Sequence, residues 1–244
     1  MIISIDGKQI SLEKVRAWES KRKDIVIKKM VRTFGVPNRN YSPEELAALK
    51  RKIPEGKMRK ALKAGIRFTT FGTRFLLAIG HGKHALSITE IDLPKISAEQ
   101  VSKGYFDVML NNTEENLLLG LRANPDHYLL QGVGDDGQEV IECTGAMPFP
   151  AHFIIYYGRE DGLMSRQDSS YPYQAAGIAC LPDGKIIGGV RHQMKDTEEG
   201  THIRLEVEFP RHMPKKVLAQ QQLHLACEFM NWFGEIMRRN GYEG

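Results

Sequence analysis

The spacing of apolar residues changes character twice along this chain. Over residues 10–34, Leu12, Val15, Trp18, Ile25, Ile27, Met30 and Val31 recur at helical spacing among lysines and arginines, which predicts an amphipathic helix ending near Gly35. Ser42-Pro43-Glu44-Glu45 starts a second helix, because Ser42 is a good N-cap, Pro43 suits the first turn and Glu45 completes a capping box. That helix should run to about residue 52, and a short third one covers 57–65. The period then becomes two. Residues 67–79, 84–93, 116–122, 138–144, 152–157, 173–180, 185–194 and 202–209 read as strands, separated by turn signals such as Pro182-Asp183-Gly184 and Glu198-Glu199-Gly200. A helix over 97–110 interrupts the series, and residues 218–238 return to helical spacing after Pro214.

Consecutive strands joined by short turns imply an antiparallel sheet, and the final helix should pack across it. The expected class is α+β: a curved antiparallel sheet around a long C-terminal helix, the helix-grip arrangement of the Bet v 1 and START-like folds. Residues 1–65 would form a basic helical extension, and residues 66–244 the helix-grip domain with an internal pocket.

The last helix is apolar nearly all round, so most of it should be buried. It carries one polar stripe, in which His224, Glu228 and Asn231 are joined by Gln220 and Glu235. Residues four apart share a helix face, so His224 and Glu228 point the same way. The stripe faces either water or an internal cavity. In the second case the pair supplies two ligands to a metal ion, and the remaining ligands should come from strands facing the helix.

Bulk composition excludes several classes. No stretch reaches the about 20 apolar residues of a membrane-spanning helix, and the N-terminus lacks a signal-peptide pattern, so a cytoplasmic location is expected. Cys143, Cys180 and Cys227 are too few and too widely spaced for a disulfide framework or a zinc finger. The net charge of +4 conceals an asymmetry: residues 1–67 hold 18 Lys and Arg against 7 Asp and Glu, whereas the remainder holds 16 against 23. A basic third could meet nucleic acid, but it lacks interleaved aromatics and its charges fall at helical spacing. Nucleic acid is therefore disfavoured as a partner. A solvated helix face, or an arm that docks on the acidic remainder or on a second subunit, explains the charges better, and a homo-oligomer is expected.

Four segments resemble the zinc-dependent C–C hydrolases that include phloretin hydrolase and diacetylphloroglucinol hydrolase. They are Phe106-Asp107 with the downstream Asn124-Pro125-Asp126-His127; Val140-Ile141-Glu142 followed by Gly145; Gly189-Val190-Arg191-His192 leading through Glu199-Gly200 to Arg204 and Phe209; and His224-Leu225-Ala226-Cys227-Glu228-Phe229-Met230-Asn231, similar to that family's HxxxEFxN segment. The resemblance covers about residues 97–235. It implies that His127, Glu142, His224 and Glu228 hold a zinc ion, with Glu160 as the alternative to Glu142. It implies hydrolysis of a carbon–carbon bond next to a ketone in an aromatic or acyl small molecule, with zinc-bound water as nucleophile. His192 is the candidate for proton transfer or ketone orientation, and Glu142 could share that role. The tyrosine that the family carries before its first metal histidine has no counterpart here, where Leu118-Leu119-Gly120-Leu121 stands, so the resemblance reaches the metal further than the acylphloroglucinol substrate. Phe106, Met109, Ile154, Tyr156, Met164 and Met230 are expected as pocket walls, with Tyr171 and Tyr173 as candidates for its mouth. The other reading of the same fold is a non-catalytic small-molecule or lipid-binding protein, which needs no metal.

Overall fold

In a computed structural model, which describes residues 1–242, the chain forms nine strands and six α-helices. The strands are β1 (Ile2–Ile5), β2 (Lys8–Ile10), β3 (His84–Pro94), β4 (His127–Val133), β5 (Gly137–Glu142), β6 (Ala151–Tyr157), β7 (Tyr173–Cys180), β8 (Ile186–Asp196) and β9 (Gly200–Pro210). They make one antiparallel sheet in the order β2-β1-β3-β9-β8-β7-β6-β5-β4. The helices are α1 (Leu12–Phe34), α2 (Pro43–Lys52), α3 (Glu55–Gly80), α4 (Ala98–Leu110), α5 (Glu114–Ala123) and α6 (Lys215–Arg239). The sheet curves around α6, so the helix-grip architecture expected from the strand pattern is the one observed.

Local chemistry sets the helix ends as the sequence indicated. Ser42 and Glu45 form a reciprocal capping box at α2, and Ser97 and Gln100 form another at α4. The α1 helix stops at Gly35, whose φ of 66° closes a left-handed cap. Among the described residues the three cysteines are free and buried, and no helix is long and apolar enough to cross a membrane.

Four local expectations change. Residues 67–79 are not a strand but the second half of α3. Their aromatic and β-branched content favours a strand, yet nothing after residue 65 stops the preceding helix, and Phe68, Phe71, Phe75 and Ile79 keep a helical spacing. Residues 116–122 likewise lie in α5, where the Thr113 hydroxyl caps the amide of Asn116 and two glutamates occupy the first turn. Residues 2–10 form a hairpin that the sequence pattern did not signal, with Ile10 ending β2 instead of opening the first helix, and β1 pairs with β3, extending the sheet edge. Strand β4 went unread. The boundary expected between residues 65 and 66 therefore falls inside α3.

Two apolar cores result. The main one lies between the concave sheet face and α4 and α6, with Phe229, Phe233, Ile91 and Ile203 wholly buried. The second packs Val26, Met30, Leu46, Met58 and Leu62 of the basic helices against Tyr128, Leu129, Ile141 and Cys143 of β4 and β5. The basic helices thus back the far edge of the sheet instead of standing apart from it.

Candidate metal centre

The centre is built where β4, β5 and α6 converge. His127 opens β4 directly after Asn124-Pro125-Asp126, and that segment is tied down on every side. The Asn124 side chain accepts from the Asp126 amide at 3.0 Å and donates to the carbonyl of His224 at 3.3 Å, linking the loop to α6. Asp126 is wholly buried and takes two hydrogen bonds from the Arg22 guanidinium of α1, at 2.7 and 2.8 Å, the bidentate geometry that makes arginine–carboxylate pairs specific. The Lys50 ammonium of α2, also buried, donates to the carbonyls of Pro125 and His127, both at 2.6 Å.

Glu142 ends β5, with Val140 and Glu142 facing inward while Ile141 faces the second core. The turn that follows is fixed to α6. Gly145 has φ +57°, and a Cβ there would lie 2.6 Å from Val217 Cγ1 and 2.7 Å from the Val217 carbonyl; only glycine fits at no cost. Its amide donates to Gln221 Oε1 at 2.6 Å. The turn thereby holds Glu142 in register with the helix that carries His224 and Glu228.

One ligand atom from each of His127, Glu142, His224 and Glu228 lies within 4.8 Å of the others. Glu228 Oε2 stands 3.0 Å from His127 Nε2 and 3.3 Å from His224 Nε2. Glu142 Oε2 is 3.4 Å from both. All four residues are at most 6% exposed.

The donor set fits a zinc ion. Tetrahedral coordination with bonds of about 2.0–2.2 Å places neighbouring ligand atoms about 3.3 Å apart, close to the nitrogen–oxygen separations here. His127 Nδ1 donates to the Gly120 carbonyl at 2.7 Å, which fixes the tautomer whose Nε2 faces the cluster and is a usual support for a metal-bound imidazole. Glu142 is steadied in the same way, since its Oε1 accepts from the Thr144 hydroxyl at 2.8 Å. His224 gives the clearest sign: its Nε2 lies beside two carboxylates but makes no aligned hydrogen bond with either, and its Nδ1 is also buried without a partner. A buried unpaired polar atom is costly, and an ion at the centre of the four groups would satisfy this one.

Electrostatics without the ion lead to the same place. Burial alone would depress the His127 imidazole, but the carboxylates of Glu142 and Glu228 outweigh it and hold its pKa up to about 9. His224 is raised as well, against burial, by the same two carboxylates. Burial would raise both glutamates, yet His224 and His127 hold Glu142 and Glu228 below the usual carboxylate range. Without a metal the carboxylates therefore favour protonated imidazoles, and those protons must leave before a metal can bind.

Glu142 and Glu228 also line a cavity of about 100 Å³ whose walls are mostly apolar, among them Val140, Phe153, Ile155, Leu225 and Phe229. None of the wall residues expected from sequence lines it. On β6 the inward residues are Phe153 and Ile155, one step out of phase with the expected Ile154 and Tyr156, and on α6 Phe229 lines the cavity where Met230 was expected. A one-residue shift flips a strand side chain to the other face. Phe106 packs at the margin of the main core and Met109 inside it, whereas Met164 is exposed on a loop. Tyr171 packs on His202 and Tyr173 sits at the margin of the main core, and neither lines the cavity.

His192 of β8 lines the cavity, its ring centre 4.9 Å from that of Phe229. Burial lowers its pKa to about 4, so it is a neutral imidazole at physiological pH, and its Nδ1 has no hydrogen-bond partner. Glu160 is excluded from the centre, because it binds Arg191 at 2.6 Å and Gln174 at 3.1 Å on an exposed turn. The polar stripe of α6 divides. His224 and Glu228 face the centre, whereas Gln220 accepts from Trp18, Asn231 donates to Glu19 and the Ala123 carbonyl, and Glu235 binds Arg238 and Arg239. Sequence reasoning missed Thr144, Asn124, Arg22 and Lys50 as supports. The short spacing of Thr144 from Glu142 was a usable signal, but the faces of α1 and α2 that carry Arg22 and Lys50 left none.

No family model matches this chain, and no curated protein matches it. Solved structures do, among them the crystal structure of Ara h 8.0201, which is 10% identical, with a TM-score of 0.42 over 63% of this chain and 99% of that one.

Proposed function

We propose that this protein is a metal-dependent hydrolase that cleaves a carbon–carbon bond next to a ketone in an aromatic or acyl small molecule, in the manner of the zinc-dependent C–C hydrolases its segments resemble. The observation that carries the reading is the meeting of His127, Glu142, His224 and Glu228 from three separate elements at the edge of an apolar cavity. When bound there, zinc would supply a Lewis acid for the ketone oxygen and lower the pKa of an attacking water toward about 7.

The chain's own groups supply the rest. The apolar walls bind the hydrocarbon part of the substrate and exclude bulk water. His192 is neutral with a free Nδ1, so it can take a proton and return it to the carbon that leaves. Glu142 would share that proton through Oε2 only by loosening from the four-residue set, because its Oε1 is held by Thr144.

A second reading has support in the cavity alone: a wall of Val140, Phe153, Ile155 and Phe229 suits a carrier of a small apolar ligand. The test is turnover of a panel of acyl phenols and 1,3-diketones by the zinc-loaded protein, run beside ligand binding by the metal-free protein. A carboxylic acid formed only with zinc, together with the deacylated phenol from an acyl phenol or the remaining mono-ketone from a 1,3-diketone, supports the hydrolase. Tight binding with no turnover, indifferent to zinc, supports the carrier.

A further inference from the structure

The outward face of α3 divides into a basic half and an aromatic half. Phe68, Phe71 and Phe75 are 65, 73 and 57% exposed, and Ile79 is 42% exposed. Lys57, Lys60, Lys63 and Arg67 precede them along the helix, all exposed and, among the described residues, none in an ion pair. At about 100° per residue these side chains fall within one arc of about 160°. The other cations of the helix are engaged, Arg59 by Glu55 and Glu139, and Arg74 by Asp183. Between Glu55 and Glu90 the sequence holds seven Lys and Arg and no Asp or Glu.

The apolar patch continues beyond the helix and borders the cavity. Phe149 is 43% exposed, and its ring centre lies 5.1 Å from that of Phe68, edge to face. On the other side of the same helical turns Thr69 and Thr73 line the cavity, as does Met147, two residues before Phe149. The exposed aromatics therefore flank the side of the cavity that α3 covers.

We propose that this face of α3 docks on a bilayer surface containing anionic phospholipid. Lys57, Lys60, Lys63 and Arg67 meet the headgroups, while Phe68, Phe71, Phe75 and Ile79 enter the acyl boundary. The two halves need different surroundings, and such a surface supplies both at the depth of one helix. A contiguous apolar patch needs a cover. The aromatic half of the arc holds no hydrogen-bonding side chain except Arg74, which Asp183 occupies, so it suits a fluid apolar phase better than a partner of fixed shape. From Lys57 to Ile79 the face is about 33 Å long, within the range of helices that lie in the interface. Docked this way, the cavity sits behind the helix against the bilayer, and its ligand would be an apolar molecule drawn from the membrane. That holds for a hydrolase and a carrier alike, and it needs no metal.

The full chain without added metal should sediment with vesicles of mixed phosphatidylserine and phosphatidylcholine, and far less with phosphatidylcholine alone. Lys60→Gln combined with Lys63→Gln should weaken that binding about 25-fold, at about fivefold per cation. Phe71→Ser combined with Phe75→Ser should weaken it by at least about 30-fold, with an unchanged circular dichroism spectrum because both rings are exposed. As a readout that does not depend on lost binding, Phe71→Trp should emit at shorter wavelength on the anionic vesicles, over a background from the buried Trp18 and Trp232. A wild type that stays in the supernatant, or that sediments equally with phosphatidylcholine alone, overturns the proposal, as does a Phe71→Trp emission that does not move. Binding that survives either double substitution overturns it too, because the chain then docks by another face. A dimer in free solution that the phenylalanine pair abolishes puts a second copy on the patch and overturns it as well.

Discussion

Glu142 of β5 and His224 of α6 meet with Oε2 and Nε2 3.4 Å apart, although neither lies on an element adjacent in sequence to the other. The Gly145 turn makes the meeting possible, since its amide binds Gln221 one turn before His224. Replacing Gly145 by alanine should force the turn away from Val217. We expect a loss of both stability and metal affinity, read by chemical denaturation and by zinc titration of the same sample.

Metal binding should release protons. The His127 pKa of about 9 means that its imidazole is charged at pH 7 in the metal-free protein, and His224 is raised in the same direction. Zinc needs both neutral. Calorimetric titration with zinc at pH 7 in buffers of different ionisation enthalpy should therefore show proton release, and the affinity should climb as pH rises toward 9. Stability of the metal-free protein follows the opposite sign: a histidine raised from its unfolded pKa of about 6.5 stabilises fully below that pH, and its contribution fades as pH passes through about 9.

The acid limb has a different source. Hydrogen bonds from His152 and Arg59 hold Glu139 down to about 2. A depressed carboxylate stabilises fully above its unfolded pKa, and the contribution is lost as pH falls from about 4.5 toward 2. Glu139→Gln should flatten that part of a curve of melting temperature against pH while leaving the neutral part nearly parallel to the wild type.

Arg22 and Asp126 form a buried pair that joins α1 to the loop leading into His127. Removing one member strands the other charge, so Arg22→Met should cost about 3–5 kcal/mol in urea denaturation, more than removing both together. A loss below 1 kcal/mol would mean that the loop holds itself without the N-terminal helix.

His192 should separate catalysis from metal binding. Its ring lines the cavity but is not among the four converging groups. His192→Phe should keep zinc at wild-type occupancy and lower kcat by about 100- to 10,000-fold, the usual range for a general acid–base group. Loss of zinc in this variant would assign His192 to the metal instead.

Much of this was legible in the chain. The i, i+4 spacing of His224 and Glu228 and the alternation that turns Val140 and Glu142 inward are periodicities, and periodicity survives folding because it is set by backbone geometry. The capped start at Ser42 is equally local. What failed was phase and context. Residues 67–79 have strand-like composition, but an uninterrupted preceding helix carries through them, and the wall residues of β6 were misplaced by one position. The supports of the centre, Arg22, Lys50 and Asn124, act across long sequence separations, where a single sequence holds no register to read.

The most direct measurement is the zinc content of the purified full-length protein and of its His224→Ala variant after exposure to equimolar zinc and removal of the excess. We expect one zinc ion per chain in the wild type and none retained in the variant. A wild type that retains none, or a variant that retains as much, would contradict the four-residue centre on which the proposed chemistry rests.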